Sequence, residues 1–143
     1  MLGARVGPHP DGLVEIGYAE VRPTGACASF LKEPTVFYQW HSETFEIPEG
    51  AVHLAENDAF PGQAFRHGAC VYGIEFHPEM TTAMIDRWST SERGSARLAE
   101  LERKGAQPRE AHIAGYERHA ESSDRWLHHF LDHHLLAVAR PPR

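Results

Sequence analysis

His77 and Glu79 stand two residues apart in "GIEFHPE", residues 73–79, with Pro78 between them. In extended backbone the side chains of i and i+2 lie on the same side, so an imidazole and a carboxylate at this spacing face each other. Pro78 favours that geometry by fixing its own φ and turning His77 away from the helical region. A carboxylate on one ring nitrogen fixes the tautomer and leaves the other nitrogen to take a proton, which is the orienter and base of a nucleophile triad. Many surface His–Glu pairs share this spacing, so the chemistry depends on a third group to activate.

Two cysteines offer a thiol, Cys27 in "GACASF" and Cys70 in "GACVYG". Cys27 superficially echoes a nucleophile elbow, yet "EVRPT" before it is polar and no helix of useful length follows before Pro34. It is not expected to substitute for a true elbow cysteine, and Cys70 reads as a packing residue of a strand. Among the eleven histidines, "WLHHFLDHHLL" places His129 and His133, and His128 and Asp132, at the i,i+4 spacing with which a helix can share a metal. His134 extends that group. The competing reading is a solvated helix face; no metal and no cofactor are assigned, and a His-rich metal-binding helical protein is kept as a third alternative.

The elements that must position His77 and Glu79 divide into a strand-rich part, residues 1–80, and a helical tail, residues 81–143. "GLVEIGYAEVRPT" alternates apolar and polar residues between turn signals and predicts a strand. "TVFYQWH", "AVHLAE" and "QAFRHGACVYGIEFH" predict further strands, the last holding two with a turn near Gly68. Beyond Met80 the period changes to that of a helix, capped by Thr81 or Thr82, with Met84, Ile85 and Trp88 on one face. The charged stretch "SERGSARLAELERKG" is stopped by Gly105 and Pro108, and a last helix is expected from about Arg109 to about Val138. Its apolar stripe is read as Ile113, Tyr116, Ala120, Leu127, Phe130, Leu131 and Leu135, and "ARPPR" ends it. No buried parallel strand precedes the first hairpin-like stretch, so the front of an α/β domain is expected to lie outside this sequence.

The chain's 143 residues fit one domain able to bury a core without disulfides. A hydrophobic fraction of 41%, with no apolar run long enough for a membrane span, excludes a bilayer-crossing protein. The formal charge of -6 argues against binding to a phosphate backbone, so no nucleic-acid partner is expected. With no secretory signal pattern and two cysteines, a cytoplasmic protein with reduced thiols is predicted.

Four motifs occur in order over some 45 residues: "QWHSETF", "IPEG", "PGQAF" and "GIEFHPE". Together they resemble the C-terminal portion of class I glutamine amidotransferase domains, closest to the glutaminase type associated with GMP synthase. The resemblance implies an α/β fold, an incomplete flavodoxin-like sheet followed by C-terminal helices, and so a single partial domain over residues 1–143. It implies a Cys-His-Glu glutaminase with glutamine as substrate and a synthase, or a complementary chain, as partner. His77 would correspond to the base, Glu79 to its orienter, and the segment with Ser42 and Glu43 to backbone lining the glutamine pocket. Trp40 and Tyr38 read as packing residues. The sequence departs from the family at Glu75, where Gln is more frequent, at Glu43, where Asp is common, and at Gly62, near an expected Asn.

The larger departure concerns the nucleophile. In the family it lies in G-x-C-x-G, ahead of a sequence that "LGARV" near Met1 resembles, so the cysteine would lie upstream of Met1. A truncated chain that is catalytically incomplete alone is therefore expected. The alternative is a non-catalytic interaction module, or a half-domain that pairs with a chain carrying the nucleophile.

Overall fold

A computed structural model describes residues 2–136. Seven strands come first: β1 (Val6–Pro8), β2 (Glu15–Pro23), β3 (Thr35–His41), β4 (Glu43–Phe45), β5 (Val52–Glu56), β6 (Ala64–His67) and β7 (Val71–Ile74). Three α-helices follow, α1 (Thr82–Thr90), α2 (Glu92–Leu101) and α3 (Arg109–Phe130), the last continued by a π-helical turn, Leu131–Leu135. The strand-rich front and helical back agree with the sequence reading. The expected end of the last helix near Val138 and the tail "ARPPR" lie outside the described residues.

Five strands form one sheet in the order β3-β2-β5-β6-β7, and β1 pairs with β4 in a separate ribbon. Every strand pair among the described residues is antiparallel, and β6 and β7 form a tight hairpin of the kind that only antiparallel neighbours allow. Among the described residues the βαβ units of a flavodoxin-like sheet have no counterpart. The sheet curls strongly. Gln39 of β3 donates to Gln63, at the foot of β6, at 2.9 Å although two strands separate them in the sheet order. The chain leaving β7 then returns to β3, where the His77 amide donates to the Tyr38 carbonyl at 2.8 Å.

Alternation along β2 and β3 sends the two side-chain faces to different cores. Tyr38 of β3 packs with Met80 and Ile85, with Tyr18, Trp40, Trp88, Ile113 and Tyr116 around them. Phe37, on the other face, joins Val21, Phe30, Leu54, Phe76, Trp126 and Phe130. Trp126 also donates from Nε1 to the Phe30 carbonyl at 2.7 Å, which pins the irregular segment between β2 and β3 under α3. A third group, Val14, Ile16, Leu98, Leu101 and Ala106, seats α2 against the start of β2.

Two glycines make these approaches feasible. Gly17 has φ +122°, and a Cβ there would lie 2.3 Å from Gln107 Oε1. The Gln107 carboxamide takes that space, accepting from the Tyr18 amide at 3.0 Å and donating to the Tyr18 carbonyl at 2.7 Å, so the loop before α3 is stitched to β2. At Gly94 a Cβ would lie 1.7 Å from the Trp88 carbonyl, so only glycine fits the corner between α1 and α2. Ser91 turns that corner, its amide donating to the Arg87 carbonyl and its Oγ accepting from the Gly94 amide at 3.2 Å. Thr81 caps α1 as the sequence suggested, accepting from the Met84 amide at 3.3 Å.

Candidate active site

His77 Nδ1 lies 2.9 Å from Glu79 Oε1, so the i+2 geometry expected from the sequence is realised. The pair is partly open to solvent, with 30% of the His77 side chain and 47% of the Glu79 side chain accessible. The bond to Glu79 engages Nδ1 and leaves Nε2 without a protein partner among the described residues. The Trp88 ring of α1 stands edge-on to the imidazole, centroids 5.4 Å apart, and limits its swing. A base so held, with one nitrogen tied to a carboxylate and the other free, is competent to accept a proton from a nucleophile brought to it.

Neither cysteine is in that position. Cys27 packs against the cluster on the Phe37 face of β3, whereas the His77 ring contacts Trp88 in the cluster on the Tyr38 face. Its thiol pKa is lowered, chiefly by the Ser29 hydroxyl 3.4 Å from Sγ, and burial opposes the shift. Cys70 is exposed in the turn between β6 and β7 rather than packed within a strand, because the hairpin closes one residue beyond it.

Ser42 separates β3 from β4, and Glu43 opens β4. Both line a cavity of about 720 Å³ together with Pro8, Trp40 and His41 on one side and Trp88, Ser91, Arg93, Gly94 and Arg97 on the other. Arg97 of α2 donates to Ser42 Oγ at 3.0 Å. Trp40 and Trp88 meet edge to face at 5.5 Å and form an apolar wall. Trp88 thus links the cavity to His77. Trp40, read from the sequence as packing alone, has one flank in the core and another on the cavity.

Behind Ser42 and Glu43 lies a polar network that sequence reasoning did not identify. His41 Nε2 is 3.2 Å from Glu15 Oε2, and its Nδ1 donates to the Glu43 carbonyl at 3.0 Å and lies 3.5 Å from Glu75 Oε2. Gln63 and Asn57 donate to the two Glu15 oxygens at 2.8 Å and 2.6 Å. Glu75 Oε1 accepts from the Phe45 amide at 3.2 Å. Burial pushes the Glu75 carboxyl up to about 7, against the pull of His41 and the Phe45 amide. Burial also works against the His41 cation, but the Glu15 bond and the Glu75 and Glu15 charges outweigh it, and the imidazole pKa is raised. The backbone turn at residues 42–45 is thus braced from below by a hydrogen-bonded network in which burial and opposite charge pull against each other.

The histidines near the end of α3 are arranged differently from the i,i+4 reading. The wider π-helical turn brings His129 and His134, five apart, onto one carbonyl, each with Nε2 3.0 and 2.9 Å from Ser29 O. The His133 ring lies tilted against His129, centroids 4.6 Å apart, and His128 Nδ1 lies 2.9 Å from the Asp124 carbonyl. Among the described residues no three His, Cys, Asp or Glu side chains converge as ligands.

The sequence is 36% identical over 84 residues to GMP synthase [glutamine-hydrolyzing] of Vibrio atlanticus, a match covering 56% of this chain and 16% of that protein. It is 29% identical over 90 residues to the glutamine amidotransferase-like protein YfeJ of Salmonella typhimurium, covering 59% of this chain and 37% of the relative. The fold superimposes on a glutamine amidotransferase from Thermotoga maritima with a TM-score of 0.72 at 27% identity, over 92% of this chain and 54% of that one. The chain is similar to part of a class I glutamine amidotransferase domain. No protein-family model matches it. The chain spans well under half the length of these curated relatives and about half of the solved structure. Among the described residues the chain has no helix long and apolar enough to cross a membrane.

Proposed function

We propose that this chain supplies the base, its orienter and the substrate-facing wall of a glutaminase site, with residues 1–80 and 81–143 acting as one unit. The reading rests on one observation: His77 is tied to Glu79 at 2.9 Å with its other nitrogen free, beside Trp88 of the cavity that Ser42 and Glu43 line. In the reaction a thiol loses its proton to His77 and the thiolate attacks the side-chain amide carbon of glutamine. The imidazolium, stabilised by Glu79, returns the proton to the leaving nitrogen, and ammonia departs for a synthase partner. Water then hydrolyses the γ-glutamyl thioester with His77 again as base.

The thiol comes from a G-x-C-x-G segment outside these 143 residues, because Cys27 and Cys70 both lie away from His77. The chain alone is therefore catalytically incomplete. Ammonia release from glutamine tests this directly. The chain alone should release none above background, and addition of a segment carrying G-x-C-x-G should restore release that His77→Ala abolishes. Release by the chain alone, lost on Cys27→Ala, would overturn the assignment of the nucleophile. A non-catalytic docking role is favoured instead if the completed domain binds a synthase yet releases no ammonia.

A further inference from the structure

Two carboxylates close on one imidazole behind the cavity wall. Glu15 Oε2 lies 3.2 Å from His41 Nε2, and Glu75 Oε2 lies 3.5 Å from Nδ1. The side chains of Glu15, His41 and Glu75 keep only 13%, 13% and 7% of their surface accessible. The Nδ1 proton goes to the Glu43 carbonyl at 3.0 Å, so Glu75 Oε2 is left buried with no hydrogen-bond partner among the described residues. An ionised oxygen in that state is costly, and a proton on Glu75 removes the cost. With it, the His41 cation is balanced by Glu15 alone; without it, a second negative charge is confined against the same ring. Burial, opposed chiefly by His41, brings this ionisation to about 7.

The same groups hold the turn that follows β3. His41 binds the Glu43 carbonyl, and Glu75 Oε1 accepts from the Phe45 amide at 3.2 Å, so both attachments of the turn depend on the charge of Glu75. Ser42 and Glu43 of that turn line the cavity beside Trp40 and His41. The other groups facing Glu75 do not titrate: the Phe45 amide and Thr44 hydroxyl of β4, and the Gln63 carbonyl, which accepts from the Glu75 amide. Gln63 and Asn57 hold Glu15, and the Phe60 ring stands between His9 and His41. Arg93 and Arg97 are the charged groups that α2 brings to the cavity His41 lines.

We propose that Glu15, His41 and Glu75 form a proton-dependent brace: with Glu75 protonated the turn at residues 42–45 is held against the sheet and the cavity wall is set, and loss of that proton releases it. Glu75 is a positioning residue that acts through His41 and the Phe45 amide. The bearing of the brace on glutamine rests on the glutaminase reading; its bearing on the turn does not. Gln stands more often than Glu at this position of the motif, so the switch is a property of this sequence, and Glu75→Gln is its nearest control.

Nuclear magnetic resonance of the full chain from pH 5 to pH 9 tests the brace. The Glu75 carboxyl carbon and the Phe45 amide should titrate together, within about one pH unit of 7. Glu75→Gln should abolish the Phe45 transition, and His77→Ala should leave it in place. His41→Gln should move the Glu75 midpoint upward, because the cation that draws it down is gone. In the domain completed with a G-x-C-x-G segment, KM for glutamine should rise about threefold or more between pH 6.5 and pH 8.5. In Glu75→Gln the KM should stay level while the pH profile of kcat is unchanged. A Glu75 carboxyl titrating near its ordinary 4.5, a Phe45 amide that does not follow it, or a KM that rises equally in Glu75→Gln overturns the proposal. A completed domain that releases no ammonia sinks the glutaminase reading alone, and the joint titration of Glu75 and Phe45 then decides the brace.

Discussion

The His77 amide donates to the Tyr38 carbonyl at 2.8 Å, part of an antiparallel bridge that joins the end of the curled sheet to its first strand. It places the proposed base in register with the strand that runs on through Trp40 to Ser42 and Glu43. The dyad and the cavity wall are consequently held by one strand rather than by two independent loops. A base fixed in this way keeps its distance to the cavity when surface loops move.

Glu79→Gln retains the shape of the pair but removes the charge that stabilises the imidazolium and selects its tautomer. In the domain completed with a G-x-C-x-G segment, kcat for ammonia release should fall about a hundredfold or more, with KM little changed. A steady-state comparison of the two proteins checks this. An unchanged kcat would remove Glu79 from the mechanism.

The two cysteines should be dispensable. Cys27→Ser and Cys70→Ser, alone or together, should leave the rate of the completed domain within about twofold, as neither thiol meets His77. Cys27, with its lowered pKa, should nonetheless react faster with a thiol reagent near neutral pH than it would without the Ser29 hydroxyl, so Ser29→Ala should slow its modification.

Glu75→Gln should stabilise the fold more as pH rises. Because the folded-state carboxyl titrates near 7 rather than its ordinary 4.5, the folded chain holds more protons than the unfolded chain between those values. The contribution of Glu75 to stability therefore falls as pH rises through that window, and a neutral glutamine escapes the loss. Urea denaturation of both proteins at pH 5 and pH 8 should show the variant gaining about 1–2 kcal/mol more at the higher pH. A gain that shrinks with pH would contradict burial as the dominant influence on Glu75.

Gly17→Ala should cost about 2–4 kcal/mol, combining an unfavourable positive φ with a clash at Gln107. Gln107→Ala in the same background should recover part of the loss. That non-additivity in chemical denaturation would identify the contact as its source.

The main strands were legible because alternation of apolar and polar residues reports a half-buried sheet. The His77–Glu79 contact was legible because i+2 geometry follows from extended backbone alone. The ribbon of β1 and β4 was not, since three residues apiece, one of them Pro8, carry no periodic signal. The inner face of α3 was legible in part: Ile113, Tyr116, Leu127, Phe130, Leu131 and Leu135 pack on the cores as the stripe foretold, whereas His112, Gly115, Ser123 and Trp126, buried beside them, did not stand out as apolar or fell off the stripe. His112 is accommodated because Tyr38 Oη lies 3.0 Å from its Nδ1 and the Gln107 carbonyl 2.9 Å from its Nε2. Glu15 and His41 escaped notice for the same reason, since polar residues on a strand read as a solvent face until another strand curls over them. Arg97 meets Ser42, and Arg93 shares its cavity, only through the corner at Ser91, a convergence that no local spacing announces.

The helical hairpin of α1 and α2 leaves the sheet just after His77, bonded to Tyr38, and rejoins it where Ala106 bridges Ile16 and Gln107 grips Tyr18. Both its ends are moored to the same pair of strands. The flank that Trp88 turns to His77 and the wall that α2 lends the cavity are thereby hung from one support, so a shift of the hairpin moves both together.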